Sequence, residues 1–460
     1  MTMKKILFAL LTGWMAISFT ACDDFLTETP STSVPTEEAL VTTQDFQNAL
    51  NGVYYTLGSY RFLGRDVLAI GDAPTDIYDI FRYQILDTNS YIEEIWAYGY
   101  WAIDRCARII KEGASFKEVT KGDLTEVEGC IAQAYAIKAL CSFYLTNMFG
   151  LPYSEANKTT LGIVNVTEPV PAYSQVSRVS VEQNYSLILD DITKAKEYYA
   201  KEGVENVGKQ YMNTAAVAAL EARVKLYMKN YEGAITAAQE AITLSGGTIV
   251  STKEDYKNMY TTLAVSTEDI FFIAKAEDDY LSANALNTLW NKYGLSINSA
   301  TIAEYSSNDI RLALLGGTWT GGKMRGITTN NQISNLPVFR LPEMYLIQAE
   351  AYAKQSTPDY GKAKEKLLEV AAKRNPDLDD SEIAEDQTII DVIDKERKLE
   401  LVQEGHRFFD ARRLGKIISV ADGAYTNFNI AKFVYPIPSF EVNSGFGVIQ
   451  TEGWSDNLPR

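Results

Sequence analysis

Two stretches of this chain share one internal spacing, and that spacing constrains the fold more than any other feature. Ala222 is followed twelve residues later by Ala234, with Tyr231 three residues before the second alanine; Ala351 stands twelve before Ala363, again with Tyr360 three before it. Each stretch reads as an apolar stripe at helical spacing, a short polar turn and a second stripe, with small residues where two helices must come close. Further stripes of helical period cover 43–57, 92–111, 124–149, 181–199, 213–228 and 231–244. Thr43 ahead of Asp45 gives a helix start, and Gly150 followed by Pro152 gives a stop. The pattern predicts a mainly α fold.

The two units resemble the tetratricopeptide pattern, without the Trp, Gly and Pro markers of its strict consensus, and so predict degenerate helix-pair repeats stacked into a curved scaffold. The helical repeats are expected over about 37–57, 92–150, 181–244 and 339–415. Two segments carry no sustained stripe: 58–91, with its Gly, Asp, Pro and Tyr, and 248–338, rich in Gly, Asn, Ser, Thr and aromatics. Connections that long are usually functional or disordered, and a high aromatic content argues against disorder. Both are expected to be loop-rich ligand-binding segments carried by the scaffold.

Composition narrows the function. Forty-three Lys and Arg against 60 Asp and Glu give a net charge of −17. Nucleic acid demands clustered basic groups, so it is excluded as a partner. His406 is the only histidine, which argues against histidine metal sites and Ser-His-Asp relays. Beyond Cys22 the cysteines are Cys106, Cys130 and Cys141, an odd set with no C-x-x-C spacing. Their helical, Ala-rich surroundings predict buried thiols acting as small hydrophobes. No cofactor or metal is called for. An enzyme of this composition would have to use a carboxylate pair, as glycosidases do, and no motif marks one.

The N-terminus predicts export. Lys4 and Lys5 open it, an apolar run covers 6–19, and Phe19-Thr20-Ala21-Cys22 follows. The run is shorter than a spanning helix needs and has the parts of a secretory signal. The placement of Cys22 resembles a bacterial lipobox, which implies a signal peptide over 1–21 and lipidation of Cys22. Residues 22–36 then read as a solvated tether, and 37–460 as the functional domain.

A set of charged and aromatic residues carries the strongest resemblance. It opens with Arg340, Glu343, Tyr345, Leu346, Ala349, Glu350 and Ala351. Glu396-Arg397, Glu400-Leu401, Glu404-Gly405, Arg407, Asp410 and Arg413 follow, then Pro436-Ile437-Pro438 and finally Gln450 and Gly453. The order and spacing resemble the SusD/RagB family of Bacteroidota outer-membrane lipoproteins. His406 fills a variable place of the pattern, Ala411 replaces a usual Leu, and Thr451-Glu452-Gly453-Trp454 replaces the usual close. The resemblance implies a lipid-anchored protein facing the cell exterior that captures oligosaccharide and hands it to a SusC-like TonB-dependent transporter. RagB-type relatives handle peptides instead, and a bare helical scaffold for protein partners is the further alternative. Glu396, Glu400 and Glu404 fall four apart, as if on one helical face, with Lys395, Arg397 and Lys398 alongside; local pairing along a helix is expected. Arg407, Asp410 and Arg413 are expected to fix loop carbonyls or carboxylates.

Sugars present flat apolar faces edged by hydroxyls, so exposed rings with planar polar groups suit them. By that chemistry the candidates are Asp76, Tyr83, Asn89 and Tyr91 in the first loop segment. Trp290, Tyr293, Trp319 and Arg325 are those in the second. Trp96, Tyr100 and Ile103 share a helix face, so Trp96 and Trp101 are expected to pack rather than bind.

Overall fold

The computed structural model describes residues 39–76, 85–116, 121–291, 297–315, 322–419 and 427–458. The expected signal, Cys22 and the tether lie outside the described residues. Among the described residues, twelve of the sixteen α-helices organise the fold. They are α1 (Thr43–Leu57), α2 (Asp66–Ile70), α3 (Ser90–Ala114), α4 (Lys121–Phe149), α5 (Val181–Tyr199) and α6 (Thr214–Tyr227), followed by α7 (Tyr231–Ser245), α8 (Lys253–Thr261), α9 (Leu341–Lys354), α10 (Tyr360–Arg374), α11 (Ile389–Glu400) and α12 (Arg407–Arg413). Other short helices, Leu286–Asn291 and Ser439–Asn443 among them, and three two-stranded sheets fill the connections among the described residues.

From α3 to α7 each helix packs on the next, and α1 lies against α3 and α4. The stack then skips in sequence but not in space: α7 packs directly on α9, and α9 on α10. Alanine makes this possible. Ala215, Ala216, Ala218, Ala219 and Ala222 of α6 and Ala234, Ala237, Ala238 and Ala241 of α7 are all buried, so the backbones approach without bulky side chains between them. Gln348 of α9 donates to the Ile235 carbonyl and to Gln239, both at 3.3 Å, joining the two alanine-spaced units across the gap in sequence. Among the described residues no helix is long and apolar enough to cross a membrane.

The gap is closed at its base. Strands β1 (Leu161–Val164) and β2 (Arg178–Ser180) pair near α5, while β3 (Asp269–Ile273) pairs antiparallel with β4 (Leu336–Arg340), with Ile273 opposite Leu336. The expectation of a loop over 248–338 is therefore corrected at both ends. Helix α8 is capped by Thr252 and buries Tyr256 and Tyr260, one turn apart, under a polar outer face that hides its period. The described residues of segment 58–91 are largely turns, as expected, interrupted by one short helix and packed inward. Phe62, Leu63, Val67 and Leu68 are buried, α2 runs through it, and the backbone passes so close to Gly405 that a Cβ on Gly71 would sit 2.3 Å from the Gly405 oxygen. Asp72 fixes that passage: its carboxylate accepts from the backbone N–H groups of Gly405, His406 and Arg407 at 2.8, 3.1 and 2.9 Å. Burial nevertheless pushes its carboxyl up to about 7.

The charged signature is buried, and the expectation of local helical pairing is corrected. Helix α11 ends at Glu400, and the three glutamates meet cations from distant segments. Glu396 accepts from Arg311 at 2.6 Å, Glu400 from Arg340 and Arg374 at 3.0 Å, and Glu404 from Arg340 at 2.6 Å and Lys323 at 2.5 Å. Glu268, next to β3, takes Arg340 and Arg374 at 2.8 Å. Because the face is buried, these carboxylates need multidentate partners that neighbouring lysines on a solvated helix cannot supply. The network ties 268, 311 and 323 of the insert to the helical stack. Arg413 forks onto Glu350 at 2.6 Å, and Arg397 onto Asp410 at 3.2 Å. His406 is buried, and burial, with Arg223 and Arg397 nearby, holds its imidazole well below the usual range. Cys106, Cys130 and Cys141 are buried free thiols; burial raises all three, Cys130 to about 12.

Candidate ligand-binding cleft

The last turn of α1 sets two tyrosines to opposite uses. Tyr54 turns inward: its hydroxyl donates to Gln133 and accepts from the Met212 N–H, each at 2.8 Å, and its ring meets Tyr211 edge-on at 5.1 Å. Tyr55 points out, 77% exposed. After Gly58 the chain folds back and presents Tyr60 and Arg61. The Arg61 guanidinium lies 4.5 Å from the centre of the Tyr60 ring and 5.5 Å from that of Tyr98. It is held there by Glu94 at 2.7 Å and the Tyr98 hydroxyl at 3.1 Å.

Helix α3 supplies the neighbouring wall. Tyr91, Glu94, Tyr98 and Trp101 recur three or four apart and so share one face, opposite the buried Ile92, Ile95, Trp96 and Ile103. Trp96 packs as expected. Trp101 does not: it is 51% exposed, with its ring 4.7 Å from Tyr98. Trp101 follows Trp96 by five residues, and five residues on a helix turn a side chain to the other side. The arm leaving β3 completes the cleft with Lys275, Asp279, Tyr280 and Asn284. Asn284 accepts from Arg65 at 3.2 Å, and Arg65 in turn sits 5.7 Å from the centre of the Tyr91 ring.

These segments enclose a cavity of about 540 Å³ whose lining includes Tyr55, Tyr60, Tyr98, Tyr211 and Tyr280, with Arg61, Gln210 and Asn284 between the rings. Its volume lies within the ~300–1,000 Å³ of small-molecule sites. Flat apolar faces alternating with planar donors and acceptors match a chain of sugar rings better than a metal or an anion. Among the described residues no three His, Cys, Asp or Glu are grouped to hold a metal ion.

The eight residues named from sequence fall in different places. Asn89 and Tyr91 stand at the start of α3, beside the cleft. Asn89 caps the helix by accepting from the Tyr91 and Ile92 N–H groups, and Tyr91 is exposed. Asp76 lies apart from the cleft lining, clasped by Arg407 at 2.8 and 3.0 Å. Burial pushes its carboxyl up, but the Arg407 guanidinium outweighs this and leaves it below the usual range. Arg325 donates to the Leu314 carbonyl at 2.6 Å, also away from the lining. Trp290 belongs to a short helix, Leu286–Asn291. Its side chain, together with Tyr83, Tyr293 and Trp319, lies outside the described residues. Tyr55, Tyr60, Arg61, Tyr98 and Tyr280 line the cleft and are not among the residues expected from sequence. For Tyr98 the available signal is the aromatic stripe on the face of α3 opposite its aliphatic one; no comparable pattern marks the other four.

Comparison with known proteins agrees with this architecture. A model described as the SusD family matches residues 194–435, and one described as "starch-binding associating with outer membrane" matches 66–226. A curated relative, SusD-like protein P2 of Formosa agariphila, is 23% identical over 259 residues, 54% of this chain and 48% of that protein, so the match spans about half of the relative's length. Among solved structures, a SusD superfamily protein of Bacteroides thetaiotaomicron has a TM-score of 0.77 at 24% identity, covering 89% of this chain and 100% of that one. A SusD superfamily protein of Bacteroides vulgatus gives 0.76 at 26%, covering 90% and 99%. A putative sugar binding protein of the same species gives 0.79 at 24%, again covering 90% and 99%. With more than half of its length matched by the family model and its helix stack shared with these structures, the chain belongs to the SusD family.

Proposed function

We propose that this protein binds oligosaccharide in the tyrosine-lined cleft and releases it unaltered to a SusC-like TonB-dependent transporter of the outer membrane. One observation carries the reading: Arg61 lies over Tyr60 and Tyr98, while Tyr55 and Tyr280 expose their rings to the same cavity. Rings stack on the apolar faces of pyranoses, and the guanidinium and amide groups between them bond the hydroxyls. The names of relatives that mention starch and sugar binding support the same ligand class. Family membership and Phe19-Thr20-Ala21-Cys22 support attachment to the outer membrane through acyl chains on Cys22, on the exterior side.

The test is a glycan array followed by calorimetry on residues 23–460. Saturable binding without cleavage of the glycan is expected. Absence of binding across neutral and charged glycans, or bond cleavage by the purified protein, would overturn the reading. In cells, Cys22→Ala is expected to release the protein from the membrane fraction, and affinity purification of the intact chain is expected to retain a TonB-dependent transporter.

A further inference from the structure

We infer that the cleft is one half of a longer groove, and that a second cavity beyond Tyr211 takes the following units of the same uncharged oligosaccharide. The inference rests on the carbohydrate reading above and specifies its ligand. The second cavity measures about 570 Å³ and is lined by Gln47, Asn51, Glu126, Gly129, Gln133 and Glu205 among others. Asn51 and Tyr211 line both cavities, so the two adjoin. Tyr54 and Tyr211 form the divide between them. Tyr54 and Tyr211 pack edge-on at 5.1 Å, and the Tyr54 hydroxyl is bonded both to Gln133 and to the Met212 N–H.

The two halves differ in chemistry in the way an extended sugar chain requires. Rings dominate the first, where stacking anchors the ligand. Amides and carboxylates dominate the second, where further hydroxyls find partners. The Asn51 amide at the junction and the Gln210 amide of the first half are exposed and make no hydrogen bond among the described residues, so a ligand competes with nothing but water for them.

Charge selects against anionic glycans. Glu126 and Glu205 line the second cavity and no Lys or Arg does, among the described residues. In the first, Arg61 is already paired with Glu94 at 2.7 Å and Lys275 with Asp279 at 3.5 Å. The chain as a whole carries −17. A polyuronate or sulfated chain would lay negative charge along this wall with no unpaired cation among the described lining residues to receive it, whereas an uncharged chain meets no such opposition.

The test compares tri- and hexasaccharides of the malto-, cello-, xylo- and manno- series, and oligogalacturonides, by calorimetry on residues 23–460. Wild-type protein is expected to bind the matching neutral hexasaccharide about tenfold more tightly than the trisaccharide, the equivalent of one or two added hydrogen bonds. Gly129→Leu fills the second cavity without disturbing α4. A Cβ there meets only Val204, at 3.8 Å, and the helix gains a better helix former. It should abolish the gain with length and leave trisaccharide affinity unchanged. Gln47→Trp, from the exposed face of α1, blocks the same cavity independently and should do likewise. Equal affinity for both lengths, a length gain intact in both variants, or preference for oligogalacturonide would each overturn the inference while leaving the carbohydrate reading in place. Failure of every oligosaccharide to bind would overturn that reading, and this inference with it.

Discussion

Arg340 and Glu404 form a fork-to-fork ion pair at 2.6 and 2.9 Å with both side chains buried. Arg340 closes β4, Glu404 follows α11, and Lys323 of the insert joins the same carboxylate, so one buried contact holds the sheet at the base of the insert against the helical stack. The arm that carries Tyr280 and Asn284 into the cleft leaves β3, the strand paired with β4.

Removing one partner of such a pair leaves a buried charge uncompensated. Glu404→Gln is expected to cost about 3–5 kcal/mol of stability in urea denaturation. Arg340→Met combined with Glu404→Gln should cost less than the sum of the two single changes, because the residues are directly coupled. Additive losses would show that the pair is incidental.

The two tryptophans of α3 should separate stability from binding. Trp96→Ala empties a buried site and is expected to cost about 3–5 kcal/mol. Trp101→Ala, on the exposed side, should stay within about 0.5 kcal/mol. Thermal melts of both variants check the assignment of faces.

Acid should first stabilise the fold and then unfold it. Burial raises the carboxyls of Asp66, Asp191 and Asp269 to about 6 and that of Asp72 to about 7. Folded-state values above the unfolded one mean that the native state binds the extra protons. The stability these groups give is complete below about pH 4 and is lost as the pH rises from there to about 7. Burial also pushes Glu350, Glu404 and Asp410 upward, but their arginine and lysine partners outweigh it and hold all three below the usual range. Their contribution is present above about pH 4.5 and is lost on further acidification. Tm is therefore expected to be higher at pH 5 than at pH 8 and to fall steeply below pH 4. Asp72→Asn should shrink the difference between pH 5 and pH 8.

Glycine substitutions should rank by what surrounds them. Gly405 has φ +78° and a Cβ there would sit 2.8 Å from the Leu68 Cα; Gly415 has φ +65° with open space around it. Gly415→Ala carries only the left-handed backbone penalty of about 1 kcal/mol, whereas Gly405→Ala adds a backbone clash and should cost at least twice that. Chemical denaturation of the two variants gives the comparison.

The long helices were legible because their apolar stripes run for several turns and end at glycine, proline or polar caps. The pairing of Ala222 with Ala234 and of Ala351 with Ala363 also carried the right geometry, and the sequence gap between them disappears once α7 meets α9. Helices α2 and α8 were not legible: α2 is five residues long, and α8 shows the solvent a nearly unbroken polar face over two tyrosines. The signature glutamates misled for a related reason. Their spacing of four is that of a solvated helix with local pairs, and nothing local reveals that the partners are Arg311, Arg340 and Arg374. Asn89 and Tyr91 lie where a loop meets a helix, outside the residues that line the cleft. Tyr55 and Trp101 sit inside helical stripes, where aromatic residues ordinarily face the core, and only the fold shows which side of α1 and α3 is covered.

The central claim is that exposed rings around Arg61 hold a sugar chain. A crystal structure of the protein with a neutral oligosaccharide identified by the glycan array tests it most directly. The account predicts pyranose rings stacked on Tyr55 or Tyr280 within the cavity, with hydroxyls bonded to Arg61 or Asn284. A glycan bound elsewhere on the molecule, with that cavity empty, would contradict it.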